Sequence, residues 1–219
     1  MDKEKIVPVR RRGKYYLGDK VYSSVTTILN ILAKPALMYW GQKVAAEIAL
    51  DDPTLSVDEV RAEIQKVVSA SCDRGTSVHD LAELWASDGV VPTPHGEHAG
   101  YIEGLAGWIN KDDPKPISWE ETVWSDEYEF AGRYDLVCEM GGKVWLIDFK
   151  TGKSIYKSVA PQLSAYKHAL SEMGKQEVDN LGVVLCKEDG SFQFAEVKDC
   201  FDDFLNIKKV FEWDRRKDG

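Results

Sequence analysis

Hydrophobic and polar positions alternate most clearly between residues 132 and 150. Gly132-Arg133-Tyr134-Asp135-Leu136-Val137-Cys138-Glu139-Met140 runs into Gly141-Gly142, and the chain continues as Lys143-Val144-Trp145-Leu146-Ile147-Asp148-Phe149-Lys150. Two short apolar runs around a Gly-Gly pair predict a tight antiparallel hairpin, because glycine takes φ > 0 at both turn positions. Val144-Trp145-Leu146-Ile147 is apolar on both faces, the pattern of a central buried strand.

Upstream, residues 1–18 read as a basic arm leading into a small hairpin, with Val7, Val9, Tyr15, Tyr16 and Leu17 flanking Arg-Arg-Gly-Lys. Ser23-Ser24 caps a short helix over 25–33, Lys34-Pro35 breaks it, and Pro35 opens a second helix with Leu37, Trp40, Val44 and Ile48 at helical spacing. A longer helical region spans 57 to about 86, interrupted near Gly75, with Val78, Leu81, Ala82 and Trp85 as its buried stripe. Residues 88–97 form a loop and 97–110 a helix; the segment 112–116, with two prolines, ends it. A strand over 119–125, the hairpin, a helix over 160–173, a second hairpin of 181–186 with 192–197, and a helix over 201–213 follow. Helices first and then β-β-β-α-β-β-α predict an α/β fold, a mixed sheet flanked by helices with an N-terminal helical subdomain. The boundary falls between residues 1–115 and 116–219 of one integrated domain.

The hairpin places chemistry. With Met140 opposite Lys143, cross-strand partners have numbers summing to 283, so Asp135 faces Asp148 in a non-hydrogen-bonded pair, where side chains are closest. Two carboxylates there destabilise the sheet unless one is protonated or a cation lies between them, which points to a divalent metal. Lys150 shares that face, two residues beyond Asp148. On the long helical segment, His79 and Glu83 lie together beside the apolar stripe. His95, Glu97 and His98 read as a hydrated loop before a helix.

A net charge of −9 over 219 residues argues against nucleic-acid attraction by the whole-molecule field. Local clusters can still meet phosphates: Arg10-Arg11-Arg12 with Lys14, Lys150 with Lys153 and Lys157, Lys208-Lys209, and Arg215-Arg216-Lys217, the last read as a solvated face. No apolar run approaches the roughly 20 residues that span a bilayer, and no signal-peptide core follows the charged N-terminus, so a soluble cytoplasmic protein without membrane contact is expected. Cys72, Cys138, Cys186 and Cys200 show no Cys-x-x-Cys spacing and read as reduced packing residues.

Gly132-x-x-Asp135, then Ile147-Asp148-Phe149-Lys150-Thr151-Gly152, then Gln162-x-x-x-Tyr166 resembles the PD-(D/E)XK nuclease superfamily, specifically its RecB-like exonuclease branch. That branch includes phage exonucleases, CRISPR-associated exonucleases and the mitochondrial genome maintenance exonuclease. The resemblance implies a restriction-endonuclease-like core, Asp135 and Asp148 as metal-binding acids, Lys150 as the catalytic lysine, and Gln162 and Tyr166 as the helix motif. Gly75-x-x-x-His79 resembles the element whose imidazole joins the metal shell, and the Phe149 carbonyl becomes an implied ligand. A further acid is expected on the preceding strand; Glu120 and Glu121 both fit, and Glu121 is taken. The segment from Ser24-Val25-Thr26 to Lys34-Pro35 and Trp40 is similar to the start of phage exonucleases of this branch.

By that resemblance the function is a DNA exonuclease dependent on Mg²⁺ or Mn²⁺ that leaves 5′-phosphates, acting on single strands or DNA ends in recombination, replication or repair. The imidazole tilts the choice towards Mn²⁺. Arg133, Lys153 and Lys157 are the expected DNA contacts, Trp40 and Trp85 fit base stacking and core packing equally, and a protein loading partner would suit so acidic a chain. Some relatives carry a four-cysteine iron–sulfur cluster; the cysteine spacing here implies none. If the gene is phage-borne, the host cytoplasm is the location. A structure-specific endonuclease of the same fold and a catalytically silent nucleic-acid scaffold are the alternatives.

Overall fold

The Gly141-Gly142 hairpin forms as its sequence dictates. In the computed structural model, which describes residues 8–33 and 35–216, both glycines take positive φ, 62° and 73°. Strands β7 (Leu136–Met140) and β8 (Lys143–Thr151) pair antiparallel with Met140 opposite Lys143 and Leu136 opposite Ile147, the register of numbers summing to 283. Of the sequence expectations, those at Val7, Lys34 and Lys217 lie outside the described residues.

β8 is the middle strand of a five-stranded sheet ordered β10-β9-β8-β7-β4, in which β8 and β9 (Asn180–Cys186) run parallel and the other pairs antiparallel. Being central, it is buried on both faces. Leu146 packs into a core formed with helices α1 (Val25–Leu29), α5 (Val159–Glu172) and α6 (Phe201–Asp214), whereas Trp145, Ile147 and Phe149 pack against α3 (Val57–Asp88) and α4 (Ala99–Asp112). β10 (Phe192–Val197) and β4 (Lys115–Trp119) are the edges; Pro116 is tolerated in β4 because an edge strand has donors to spare.

The sequence pattern predicts one mixed sheet, and the structure has two. The second is ordered β1-β2-β3-β6-β5, from Val9–Arg11, Lys14–Leu17, Lys20–Ser24, Phe130–Arg133 and Thr122–Ser125, with β3 and β6 parallel. The N-terminal hairpin β1–β2 thus extends, through β3, a sheet that β6 and β5 of the C-terminal half complete. The cause of the split is a bend in two long strands at the same level. The expected strand over 119–125 is the end of β4 joined to β5, broken where Glu120 adopts φ 49°. The expected single run from Gly132 is β6 joined to β7, broken at Tyr134 and Asp135. Both breaks keep their rungs: Glu120 N–H donates to the Asp135 carbonyl at 3.0 Å and Tyr134 N–H to the Glu121 carbonyl at 3.3 Å.

The helical segment differs from expectation in one respect. α3 runs 32 residues without interruption, from a Ser56/Glu59 capping box to a left-handed Gly89. A mid-helix glycine costs only about 1 kcal/mol relative to alanine, too little to end a helix capped at its start and anchored beyond the glycine by buried Val78, Ala82 and Trp85. α2 (Pro35–Asp51) packs on α3 as a helical hairpin. Trp85 is buried, with its ring edge-on to Trp108 at 6.0 Å, so it is a core residue; Trp40 is exposed. Cys138 and Cys186 pack in the core, but Cys72 is exposed on α3. Among the described residues no helix is long and apolar enough to cross a membrane.

Candidate active site

The two bent strands make a corner, and Asp135 stands at it. The hairpin β5–β6 pairs residues whose numbers sum to 255, and β4–β7 keeps that sum from Ser118 opposite Val137 to Trp119 opposite Leu136. Glu120 therefore sits opposite Asp135 across one strand pair, and Asp148 sits beside Asp135 across the next. Three carboxylates occur in a row on neighbouring strands. Asp135 is anchored by its Oδ2, which accepts the Phe149 N–H at 2.7 Å.

His79 closes the corner from α3. Its Nδ1 lies 3.5 Å from Asp135 Oδ1 and 3.7 Å from Glu120 Oε1, and one ligand atom from each of the three residues lies within 4.8 Å of the others. The ring is held edge-on against Phe149 at 6.3 Å, and Phe149 packs in turn on Trp108. The helix stripe and the strand's apolar face thus aim the imidazole. Two carboxylate oxygens and one imidazole nitrogen converging from three elements is a donor set that fits Mg²⁺ or Mn²⁺.

Asp148 is nearly inaccessible, 2% exposed: Gln162 Nε2 donates to Oδ1 at 2.8 Å, while Oδ2 accepts no hydrogen bond among the described residues and is ion-paired with Lys150 Nζ at 2.5 Å. Lys150 Nζ also donates to the Phe149 carbonyl at 3.3 Å. Tyr166, one turn beyond Gln162 on α5, is buried against Gly132. A Cβ at Gly132 would fall 2.3 Å from the Tyr166 ring, so only glycine lets strand β6 lie this close to the helix. This is the physical content of the glycine three residues before Asp135.

A sequence profile of the PD-(D/E)XK nuclease superfamily matches residues 93–211, more than half of the chain. The chain belongs to this superfamily. Among curated proteins none matches it. Among solved structures, the crystal structure of SSO0001 is similar at 13% identity and a TM-score of 0.46, over 95% of this chain and 80% of that one. At that similarity it carries no argument.

The close packing of charges at this corner sets its electrostatics. Burial, reinforced by Asp148, outweighs the charge of His79 and lifts the Asp135 carboxyl to about 6. Burial disfavours the imidazolium of His79, but the Asp135 charge and the Glu120 contact prevail and raise it to about 9. For Lys150 burial is likewise outweighed by Asp148 and Asp135, so its pKa rises and it is an ammonium at neutral pH. An ammonium has three donors and no lone pair, so Lys150 acts by donating. Burial ahead of the same two carboxylates pushes the Tyr166 hydroxyl far above its ordinary value, leaving it neutral.

The structure brings together Asp135, Asp148, Lys150, Gln162, Phe149 and His79 from the sequence expectations, with Tyr166 behind them, but not all of the expected residues make the expected contacts. Asp148 lies outside the three-donor group and is engaged by Gln162 and Lys150. The Phe149 carbonyl is turned to Lys150. Glu121, taken from the sequence as the strand acid, ion-pairs with Lys175, and Glu120 occupies the corner instead. The left-handed break at Glu120 is the reason: it reorients the two acids relative to simple strand alternation. Arg133 is ion-paired with Glu120 although its side chain is 57% exposed, while Lys153 and Lys157 are exposed in the loop between β8 and α5. Glu120 is the site residue that pattern reading passed over; counting the β5–β6 register from the Ser125/Phe130 pair finds it.

Proposed function

We propose that this nuclease is a divalent-metal-dependent DNA exonuclease that leaves 5′-phosphates, acting on single strands or DNA ends. The observation that carries the reading is the convergence of His79, Glu120 and Asp135 beside a Lys150 ammonium that Asp148 holds. In phosphodiester hydrolysis a water oxygen bonds to phosphorus, the P–O3′ bond breaks, and the departing 3′-oxygen takes a proton, giving a 5′-phosphate and a 3′-hydroxyl. Mg²⁺ or Mn²⁺ held by His79, Glu120 and Asp135 would supply charge that offsets the phosphate's and would acidify water.

The chain's own residues do the rest. Lys150 donates to a phosphate oxygen where negative charge develops, a role for which its preset position avoids reorganisation during the reaction. Asp148 keeps the Lys150 Nζ at the corner, and Gln162, donating to the other oxygen, holds Asp148 in that orientation. The Phe149 N–H holds Asp135 in its rotamer. Arg133, exposed next to Glu120, and Lys153 and Lys157 beyond β8 stand where a DNA backbone leaving the corner would pass. In this reading residues 1–115 contribute His79 and the strands that complete the second sheet.

The exonuclease part rests on the resemblance of the hairpin and helix motifs to the RecB-like branch, and comparing substrates with and without ends tests it. An exonuclease degrades linear single-stranded DNA to short 5′-phosphorylated products and leaves a closed circle of the same sequence intact over the same period. Cleavage of the circle at a comparable rate makes the enzyme a structure-specific endonuclease.

A further inference from the structure

Arg74 is a cation beside the site that no carboxylate neutralises. It lies on α3 five residues before His79 and is half-buried. Its guanidinium carbon sits over the Tyr101 ring, 4.8 Å from the centroid, and its Nε donates to Thr151 Oγ1 at 3.5 Å. Among the described residues no carboxylate oxygen lies within 4.0 Å of it, in contrast to Arg61 with Asp58 and Arg133 with Glu120. Gly75, its neighbour, faces the same threonine at 3.9 Å from an added Cβ, so helix and strand end approach closely here.

A partly desolvated guanidinium without a counter-charge is costly, and a ring face repays only part of that, about 0.5–2 kcal/mol. The arrangement makes sense if an anion completes it. The planar fork suits the paired oxygens of a phosphate, and the ring beneath and the threonine beside Nε hold the fork in one orientation. Thr151 is the chain neighbour of Lys150, roughly 3.8 Å away at Cα, and its side chain points to the opposite face of β8. Arg74 therefore reaches the strand end from the α3 side while Lys150 serves it from the α5 side. Lys153 is exposed two residues beyond Thr151, in the segment that leaves the strand end.

We propose that Arg74 grips the nucleic-acid backbone at a phosphate adjacent to the scissile one, independently of base sequence. The proposal rests on the nuclease reading above. It makes Arg74 a binding residue, and it separates that role from a simple brace between α3, α4 and β8.

The test is fluorescence anisotropy with a fluorescein-labelled single-stranded 20-mer and Mg²⁺, in the Lys150→Ala background so that the DNA stays intact, across a series of salt concentrations. Arg74→Gln and Arg74→Met both remove the charge, the second keeping an apolar stem in the Tyr101 contact should the first fold poorly. Each is expected to weaken binding several-fold at low salt and to flatten the slope of log K against log salt by about 0.7, the loss of one phosphate contact on a single strand. In the Lys150-containing enzyme the same substitutions raise KM while kcat stays within about threefold, the signature of lost uniform binding. An unchanged slope in a folded variant overturns the proposal, even where affinity or melting temperature falls, because a brace carries no counterion release. A parent protein that neither binds nor cleaves DNA overturns the nuclease reading, and this proposal with it. A parent that does both while the Arg74 variants keep its slope overturns this proposal alone.

Discussion

Lys150→Ala is expected to lower kcat/KM for DNA cleavage by about three orders of magnitude, the scale seen when a preorganised donor to a developing oxyanion is removed. The loss has two sources in this structure. The ammonium that meets the phosphate is gone, and Asp148, 2% exposed, is left with Gln162 as its remaining partner. A buried carboxylate stripped of its cation costs about 3–5 kcal/mol. The variant is therefore expected to melt at a lower temperature than the parent. Steady-state cleavage of a labelled single strand beside thermal melts of both proteins checks both halves. Wild-type rates in the variant would remove Lys150 from the chemistry.

Glu120→Gln is expected to reduce kcat/KM about a hundredfold or more, while Glu121→Gln stays within about threefold of the parent. Glu120 is one of the three donors at the corner and also holds Arg133. Glu121 holds Lys175 on a partly exposed face, and losing such a pair costs about 0–1 kcal/mol of stability and no catalytic contact. The two residues are chain neighbours of the same type, so composition, net charge and local helix or strand propensity change equally in both variants. Only the geometry of the corner separates them. The reverse ranking would place Glu121 in the reaction and make the bend at Glu120 irrelevant to function.

The Gly141-Gly142 hairpin was legible because period-two alternation and a glycine turn are both local, and the register that follows from them is arithmetic. Asp135, Asp148 and Lys150 came from that arithmetic. The sheet switch was not legible, since alternation on each side of the Glu120 and Asp135 breaks is normal and nothing local marks where a strand leaves one sheet for another. β4 was hidden because it begins at Lys115, between Pro114 and Pro116, and the Asp126 to Glu129 turn lacks the glycine or proline that advertises a hairpin. With that hairpin unseen, the count that pairs Glu120 with Asp135 had no starting point. His79 was found through the Gly75 motif, although the helix break expected at Gly75 does not occur. Arg74 depends on Tyr101 and Thr151, 27 and 77 residues away in sequence, and a contact of that separation leaves no periodic trace.

The central claim is that the corner of Asp135, Glu120 and His79 beside Lys150 hydrolyses phosphodiester bonds with a divalent metal. The measurement that meets it most directly is digestion of end-labelled linear single-stranded DNA in Mg²⁺, Mn²⁺ or EDTA, running the parent beside Asp135→Asn. Cleavage in either metal, none in EDTA, and loss of cleavage in a folded Asp135→Asn protein is the expected result. Cleavage that persists in EDTA, or that survives Asp135→Asn, would contradict it.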